Sequence, residues 1–437
     1  MEKKKKLWQV LIPVLVALAV IVAFAISGTI TRRADEKKPT APTKVSVVNQ
    51  TEDHTEETQG KTRVRLVAVG DNLIHNTLIA AGEQKDGSRN YDAFYQDIKQ
   101  YIEPADIAVI NQETVLGGSS FDYSGYPCFN SPWEIGDAAI AAGFDIFTCA
   151  TNHTMDMGSA GVEKELEYFG KHKEAVHLGT NASQADYDKI TYYEKNNITF
   201  ALLNYTYGTN GIDLPKDKPW LVNLMDKDKI RKDITEARKH ADVVMVFPHW
   251  GTENSHKVSD YQKEYTKLFS DLGVDIVIGS HPHVLQPVAW VTNEKSGKKM
   301  LVYYSLGNFI SHQINLPQLC GGMAEVTIEK DNGKITISSA KLAPVVCHYS
   351  RGGNGFVFSV YKLSDYTDEL AATQAQKGAT VKCFTDLSKK VIPAEFLDIE
   401  QTVCLSCAYC TKGVHNSCRQ LQDLPKLSKT VDKPGTM

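Results

Sequence analysis

The hydrophobic positions of this chain fall into short, nearly unbroken runs, and polar groups stand where each run stops. VRLVAVG (64–70) stops at Asp71, IAVI (107–110) at Asn111-Gln112-Glu113, and FDIFTCAT (144–151) at Asn152-His153. ITFALLNYT (198–206) closes around Tyr205 and Tyr207, and DVVMVFP (242–248) stops at His249-Trp250-Gly251. VDIVIGS (274–280) stops at His281-Pro282-His283, and KMLVYYSLG (299–307) at Asn308. Runs that are apolar throughout, without alternation, predict strands buried on both faces.

Helical periodicity fills the gaps. Residues 161–172 put Val162, Leu166 and Phe169 on one face, and 229–241 and 259–273 follow the same pattern. Strands alternating with helices predict an α/β architecture. Residues 324–345 alternate apolar and polar instead, in two strands flanking Asp331-Asn332-Gly333, which predicts a hairpin. The pattern weakens after residue 363, where helix is expected before a disordered end.

The N-terminus departs from this pattern. MEKKKK (1–6) precedes residues 7–27, which carry no charge from Val10 to Ile26. That stretch spans roughly 25 Å as a helix, close to a bilayer core. It is longer than the apolar region of a secretory leader, so an uncleaved transmembrane signal anchor is expected. Cleavage after Ala23-Phe24-Ala25 is the alternative. Lys3 to Lys6 before the span are nearly balanced by Arg32, Arg33, Lys37 and Lys38 after it. The main domain is placed outside the cell membrane, because a single N-terminal span with a long downstream domain usually translocates it. Polar residues 28–62 read as a flexible stalk. The domain proper is expected at 63–350, with a C-terminal extension at 351–437.

Composition narrows the function. A net charge of −4 over 437 residues leaves no basic surplus for nucleic acid. A mean hydropathy of −0.28 excludes a multispan membrane protein. Nine cysteines are too few for a disulfide scaffold. Four of them, Cys404, Cys407, Cys410 and Cys418, cluster near the end, with His415 between the last two. Their spacing is open to a zinc site, an iron–sulfur site, disulfide pairing or no role.

The strand ends hold the candidate chemistry. In open α/β sheets ligands sit beyond the carboxyl ends of the strands. Here those ends carry Asp71, Glu113, Asn152, His249, His281 and His283. An Asn after a strand is usually a turn, and a lone His is usually structural. Six such ends together supply two carboxylates, one amide oxygen and three imidazoles. That set suits Mn, Fe or Zn. Glu113 is placed to bridge two ions, the usual device for activating water against a phosphoryl centre. Pro282 favours extended backbone, which would project His281 and His283 to one side.

GDNLIH, NQET, ATNHTMDMG, HWGTE, GSHPHVLQPV and YSLGNF, in this order, resemble the motifs of the CapA/PgsA capsule-biosynthesis family over about residues 64–350. The resemblance implies a role in poly-γ-glutamate or capsule synthesis. It also implies a fold similar to the calcineurin-like metallophosphoesterases, an αββα sandwich with central mixed sheets. By that likeness the six strand-end residues are ligands to two divalent metals, and His153 contacts substrate or protonates the leaving group. The phosphoesterase motif Asp-x-His is altered, since Asn72 and Leu73 follow Asp71 and His75 stands four residues on. Glu113 stands where a bridging Asp is usual. Secondary candidates are His75 as a ligand, Trp250 and Gly251 shaping the pocket, Asn308 as a donor to a ligand, and Asp156, which either orients His153 or stabilises a turn. Tyr205 and Tyr207 either line the site or pack. Two functions follow as expectations: a membrane-anchored hydrolase acting on a phosphoester, or a non-catalytic partner of a polymer synthase that binds an anionic polymer.

Overall fold

A computed structural model of the protein describes residues 61–353 and 355–399. The expected anchor, residues 28–60 of the expected stalk and the cysteine cluster at 404–418 lie outside the described residues, whereas Lys61 and Thr62, expected in the stalk, begin a strand. Among the described residues no helix is long and apolar enough to cross a membrane.

Two mixed sheets form the frame. The larger holds β1 (Lys61–Asn72), β2 (Ile107–Gln112), β3 (Ile146–Thr148), β4 (Val176–Leu178), β11 (Asn308–Ile310), β12 (Cys320–Asp331), β13 (Lys334–Gly352) and β14 (Gly355–Lys362). Its order is β14-β13-β12-β1-β2-β3-β4, with β11 paired to the end of β1. The second sheet is β5 (Thr191–Lys195), β6 (Ile198–Thr206), β7 (Val243–His249), β8 (Ile276–Ile278), β10 (Lys299–Tyr303) and β9 (Val288–Thr292), ordered β5-β6-β7-β8-β10-β9. β1 to β4 run parallel, as do β6, β7, β8 and β10. Their carboxyl ends therefore point one way within each sheet.

The unbroken hydrophobic runs are explained by burial on both faces. In β6 and β7, Phe200, Leu202, Met245 and Phe247 face a core shared with Val67, Val69 and Val109 of the larger sheet. The alternate residues Ala201, Leu203, Val244 and Val246 join a second core with Ile230, Ile234, Tyr265 and Phe269. Those last four lie on helices α2 (Lys227–Ala237) and α3 (Asp260–Asp271). A strand with period two thus splits its side chains between two apolar layers. Helix α1 (Gly158–Lys171) buries Val162 and Phe169. The start of α3 is set by a Ser259–Gln262 capping box. The hairpin falls where Asn332-Gly333 predicts it, both residues taking positive φ.

Two expectations need correction. The core does not stop near residue 350. β14 pairs along β13, and Phe358, Val360, Tyr366, Phe384 and Phe396 join the main core, Phe384 from helix α4 (Val381–Val391). Nor are His281 and His283 extended. Their φ angles are +96° and +58°, the left-handed region that non-glycine residues rarely enter.

Close approach at the head of β1 positions the site. The β1–β2 register shifts between Val69 and Asp71. A Cβ on Gly70 would stand 1.8 Å from the Gly307 carbonyl oxygen. Only glycine lets these two segments meet there.

At the other end of the parallel strands, burial raises the Asp145 carboxyl from 3.8 to about 6, against the lowering pull of the Ala108 amide. The Ala108 N–H donates to Asp145 Oδ2 at 2.8 Å. A folded-state value above the unfolded one means that stability is highest below about pH 4 and is lost as pH rises through about 6. Asp145→Asn keeps the acceptor and removes the titration. In urea unfolding from pH 4 to 7, wild type should lose about 2–3 kcal/mol relative to the variant. Parallel curves for the two proteins would refute this assignment.

Candidate metal centre

The carboxyl ends of β1, β2, β7 and β8 and the loop after β3 converge. Asp71, Glu113 and His283 present ligand atoms within 4.8 Å of one another, and so do Glu113, His249 and His281. Glu113 belongs to both triads. All five residues are buried.

Hydrogen bonds aim the ligand atoms. Asn111 Nδ2 donates to Asp71 Oδ1 at 2.9 Å, and the His281 backbone N–H approaches the same oxygen at 3.3 Å. His283 Nδ1 lies 3.0 Å from Asp71 Oδ2 and 3.1 Å from Asn308 Oδ1, which leaves Nε2 facing Glu113. His249 Nδ1 is 2.9 Å from Ser280 Oγ, and its Nε2 is 2.8 Å from Asn152 Oδ1. The left-handed turn at 281–283 sends the two imidazoles to different Glu113 triads, with ring centroids 5.9 Å apart, while both also approach Glu253.

The residues fit a pair of cations. Both Glu113 carboxylate oxygens and His281 Nδ1 are buried without a hydrogen-bond partner. Such groups are costly unless something charged meets them. Glu113 Oε1 is 3.7 Å from both His249 Nε2 and His283 Nε2. That is too long for a hydrogen bond but close to the spacing of two ligands sharing an ion with roughly 2.0–2.2 Å arms. The donors are imidazole, carboxylate and amide oxygen, which suit Mn, Fe or Zn.

Without a cation, burial and the neighbouring charges divide the set. Burial drives the Glu113 carboxyl well above its ordinary range, against the lowering pull of His283. Burial lowers His283, but Glu113 and Asp71 outweigh it and hold the imidazole up at about 9. Burial, then His283, pushes His281 down to about 3, and burial pushes His249 well below its ordinary value. The last two are neutral imidazoles, the form that binds metal.

His153 stands beside the triads without joining either. Its Nδ1 is 2.7 Å from Asp156 Oδ2, which also accepts the Phe129 N–H at 2.7 Å. Its ring meets Phe129 edge-on at 4.6 Å. Asp156 therefore orients His153. Asn210 accepts from Asn152 Nδ2 at 3.2 Å and lies 3.3 Å from His153 Nδ1.

Other expected residues fall elsewhere. Trp250 is fully buried in the second core, its Nε1 donating to the Tyr304 carbonyl. Gly251 takes φ +101° and approaches Gln262, not the ligands. Tyr205 donates to Asp233 in the core, whereas Tyr207 lies against His281 at 4.6 Å. His75 belongs to no ligand group among the described residues. Its Nδ1 lies 3.2 Å from the Leu73 carbonyl, and burial lowers it to about 4. Asn308 opens β11 and faces His283 with an acceptor, not a donor. Three useful residues are not evident from sequence: Asn111 and Ser280, which orient ligands, and Glu253, exposed but grouped with His281 and His283. Glu253 closes the motif HWGTE, which was the available signal.

Two facing mixed sheets with a shared carboxylate between two ligand triads define an α/β protein with a candidate dinuclear metal centre. The sequence model described as bacterial capsule synthesis protein PGA_cap matches residues 65–313, more than half the chain, and the chain belongs to that family. It is 36% identical over 172 residues to the PGA biosynthesis protein CapA of Bacillus subtilis strain 168, covering 39% of this chain and 43% of that one. It is 33% identical over 177 residues to the capsule biosynthesis protein CapA of Bacillus anthracis, covering 39% and 41%. The alignments thus span less than half the length of these relatives. Among solved structures, the calcineurin-like phosphoesterase YfkN of Bacillus subtilis overlaps with a TM-score of 0.39 at 14% identity, over 76% of this chain and 98% of that one. A 5'-nucleotidase precursor of Thermus thermophilus overlaps at 0.41 and 16%, over 65% and 54%.

Proposed function

We propose that this chain is a metal-dependent hydrolase of the phosphoesterase type that serves capsule or poly-γ-glutamate synthesis. Glu113 carries the reading: a buried carboxylate without hydrogen bonds, common to two His-containing triads, has no use in a core. Two divalent cations, when bound, supply Lewis acidity toward a phosphoryl centre and its attacking water. Asp71 and His283 would hold one cation, and His249, His281 and Asn152 would hold the other. His153, oriented by Asp156, gives a proton to the leaving oxygen. In this reading residues 7–27 anchor the chain in the membrane and the domain works outside it, on an anionic polymer or a phosphoester, beside the subunits of a polymer synthase.

Metal content of the purified full chain tests this, compared with the same chain carrying His281→Ala and His283→Ala. The expected difference is about two transition metals per chain, read by mass spectrometry. A difference of zero after reconstitution with Mn or Zn would move the function to non-catalytic polymer binding.

A further inference from the structure

A second group of ligand atoms stands apart from the strand-end centre. We propose that Cys149, Glu165 and His177 bind a single zinc ion that pins the loop bearing Asn152 and His153. Cys149 follows β3, Glu165 lies on α1, and His177 lies in β4. Their ligand atoms lie within 4.8 Å of one another, and none of the three belongs to either triad at the strand ends.

Glu165 is the residue that calls for an ion. It is 1% exposed. Its Oε2 accepts the Leu116 N–H at 3.2 Å, but Oε1 is buried and finds no partner at hydrogen-bonding geometry. The thiol of Cys149 and the hydroxyl of Thr180 are near enough to stabilise the carboxylate, yet burial still raises it to about 8. His177 Nε2 is 3.9 Å from Glu165 Oε1, close to the edge of a tetrahedron with roughly 2.0–2.3 Å arms. Burial lowers His177 to about 4, so the ring is neutral, and it stacks on Phe169 at 4.8 Å.

Charge and donor type select zinc. One thiolate, one carboxylate and one neutral imidazole bring a divalent cation to zero net charge, the state an apolar interior tolerates. Sulfur, nitrogen and oxygen donors in one small site favour zinc over Mg or Ca. Binding releases two protons to solvent at neutral pH, one from the Cys149 thiol and one from the Glu165 carboxyl, which burial holds up at about 8. The Thr180 hydroxyl, 2.6 Å from His177 Nε2, holds that nitrogen in the metal-free protein and would yield it to the ion. The ion would stabilise by fixing structure: the Cys149 carbonyl accepts from Thr154 Oγ1 at 2.7 Å, and its N–H donates to Leu178 O at 2.9 Å. Asn152 and His153 lie within that bracket.

Cobalt is the probe, because thiolate-to-cobalt charge transfer gives a near-ultraviolet band that oxygen and nitrogen ligands do not. The full chain is used with Cys404, Cys407, Cys410 and Cys418 changed to Ser, so that the tail contributes none. The expected result is a band that saturates at one cobalt per chain, persists when His281 and His283 are changed to Ala, and vanishes in Cys149→Ser. Glu165→Gln retains an acceptor for Leu116 and should fold, yet bind the thiolate-site cobalt more than about tenfold more weakly. Absence of the band, its persistence in Cys149→Ser, or unchanged cobalt affinity in Glu165→Gln each overturns the proposal.

Discussion

Glu113→Gln is expected to abolish the paired metal centre while leaving the metal-free fold about as stable. The amide keeps the shape of the side chain but loses the charge that serves both triads. The affinity loss should exceed the roughly 10–100-fold typical of removing an outer hydrogen-bond partner. A cation at 100 times its dissociation constant stabilises the native state by about 2.7 kcal/mol. Wild type should therefore show a rise in Tm with Mn or Zn at the strand-end centre, and the variant should lose that rise. Without metal the two should be about equally stable. Burial already holds Glu113 in its neutral acid form, and a neutral amide of the same shape takes its place with the same lack of partners. Thermal unfolding with and without metal separates the two effects. A variant that is less stable without metal and unchanged in metal response would make Glu113 a structural residue.

His153→Ala should act on chemistry and spare the metals. The imidazole belongs to no ligand triad among the described residues, so metal content should stay at the wild-type value. Loss of a positioned general acid costs typically 10²–10⁴-fold in rate. The expected result is a fall of that size in kcat on phosphoester substrates, with KM little changed. Asp156→Asn should give a smaller fall, because it removes the partner 2.7 Å from Nδ1 and leaves the ring in place. In cells, a His153→Ala chain that still supports normal polymer formation would favour the polymer-binding role over catalysis.

Much of the frame is legible along the chain. Continuous apolar runs state that both faces of a strand are buried, and the two cores on either side of β6 and β7 are the reason. Asn332-Gly333 specifies its turn because both residues accept positive φ. The candidates come together because parallel strands within one sheet share a direction, so their carboxyl ends share an edge. The extent of the core past residue 350 was not legible. β14 follows β13 in the chain and pairs with it, but its Phe358 packs against Phe94 from far back in the chain, and Phe384 of α4 joins the same main core only once the chain is folded.

The sequence by itself determined which residue types reach the carboxyl ends and in what order, because strand period and hydrophobic run length are local properties. It could not decide direction. Trp250 follows His249 by one position, yet one turns into a core and the other into the centre, since adjacent residues leave a strand on opposite faces. Only the tertiary structure decided that His281 and His283 take left-handed backbone and part toward different Glu113 triads. That conformation is held by Asp71, 210 residues away in the chain for His281 and 212 for His283. The same holds for Cys149, Glu165 and His177, which share no motif and meet only because a loop, a helix and a strand pack together.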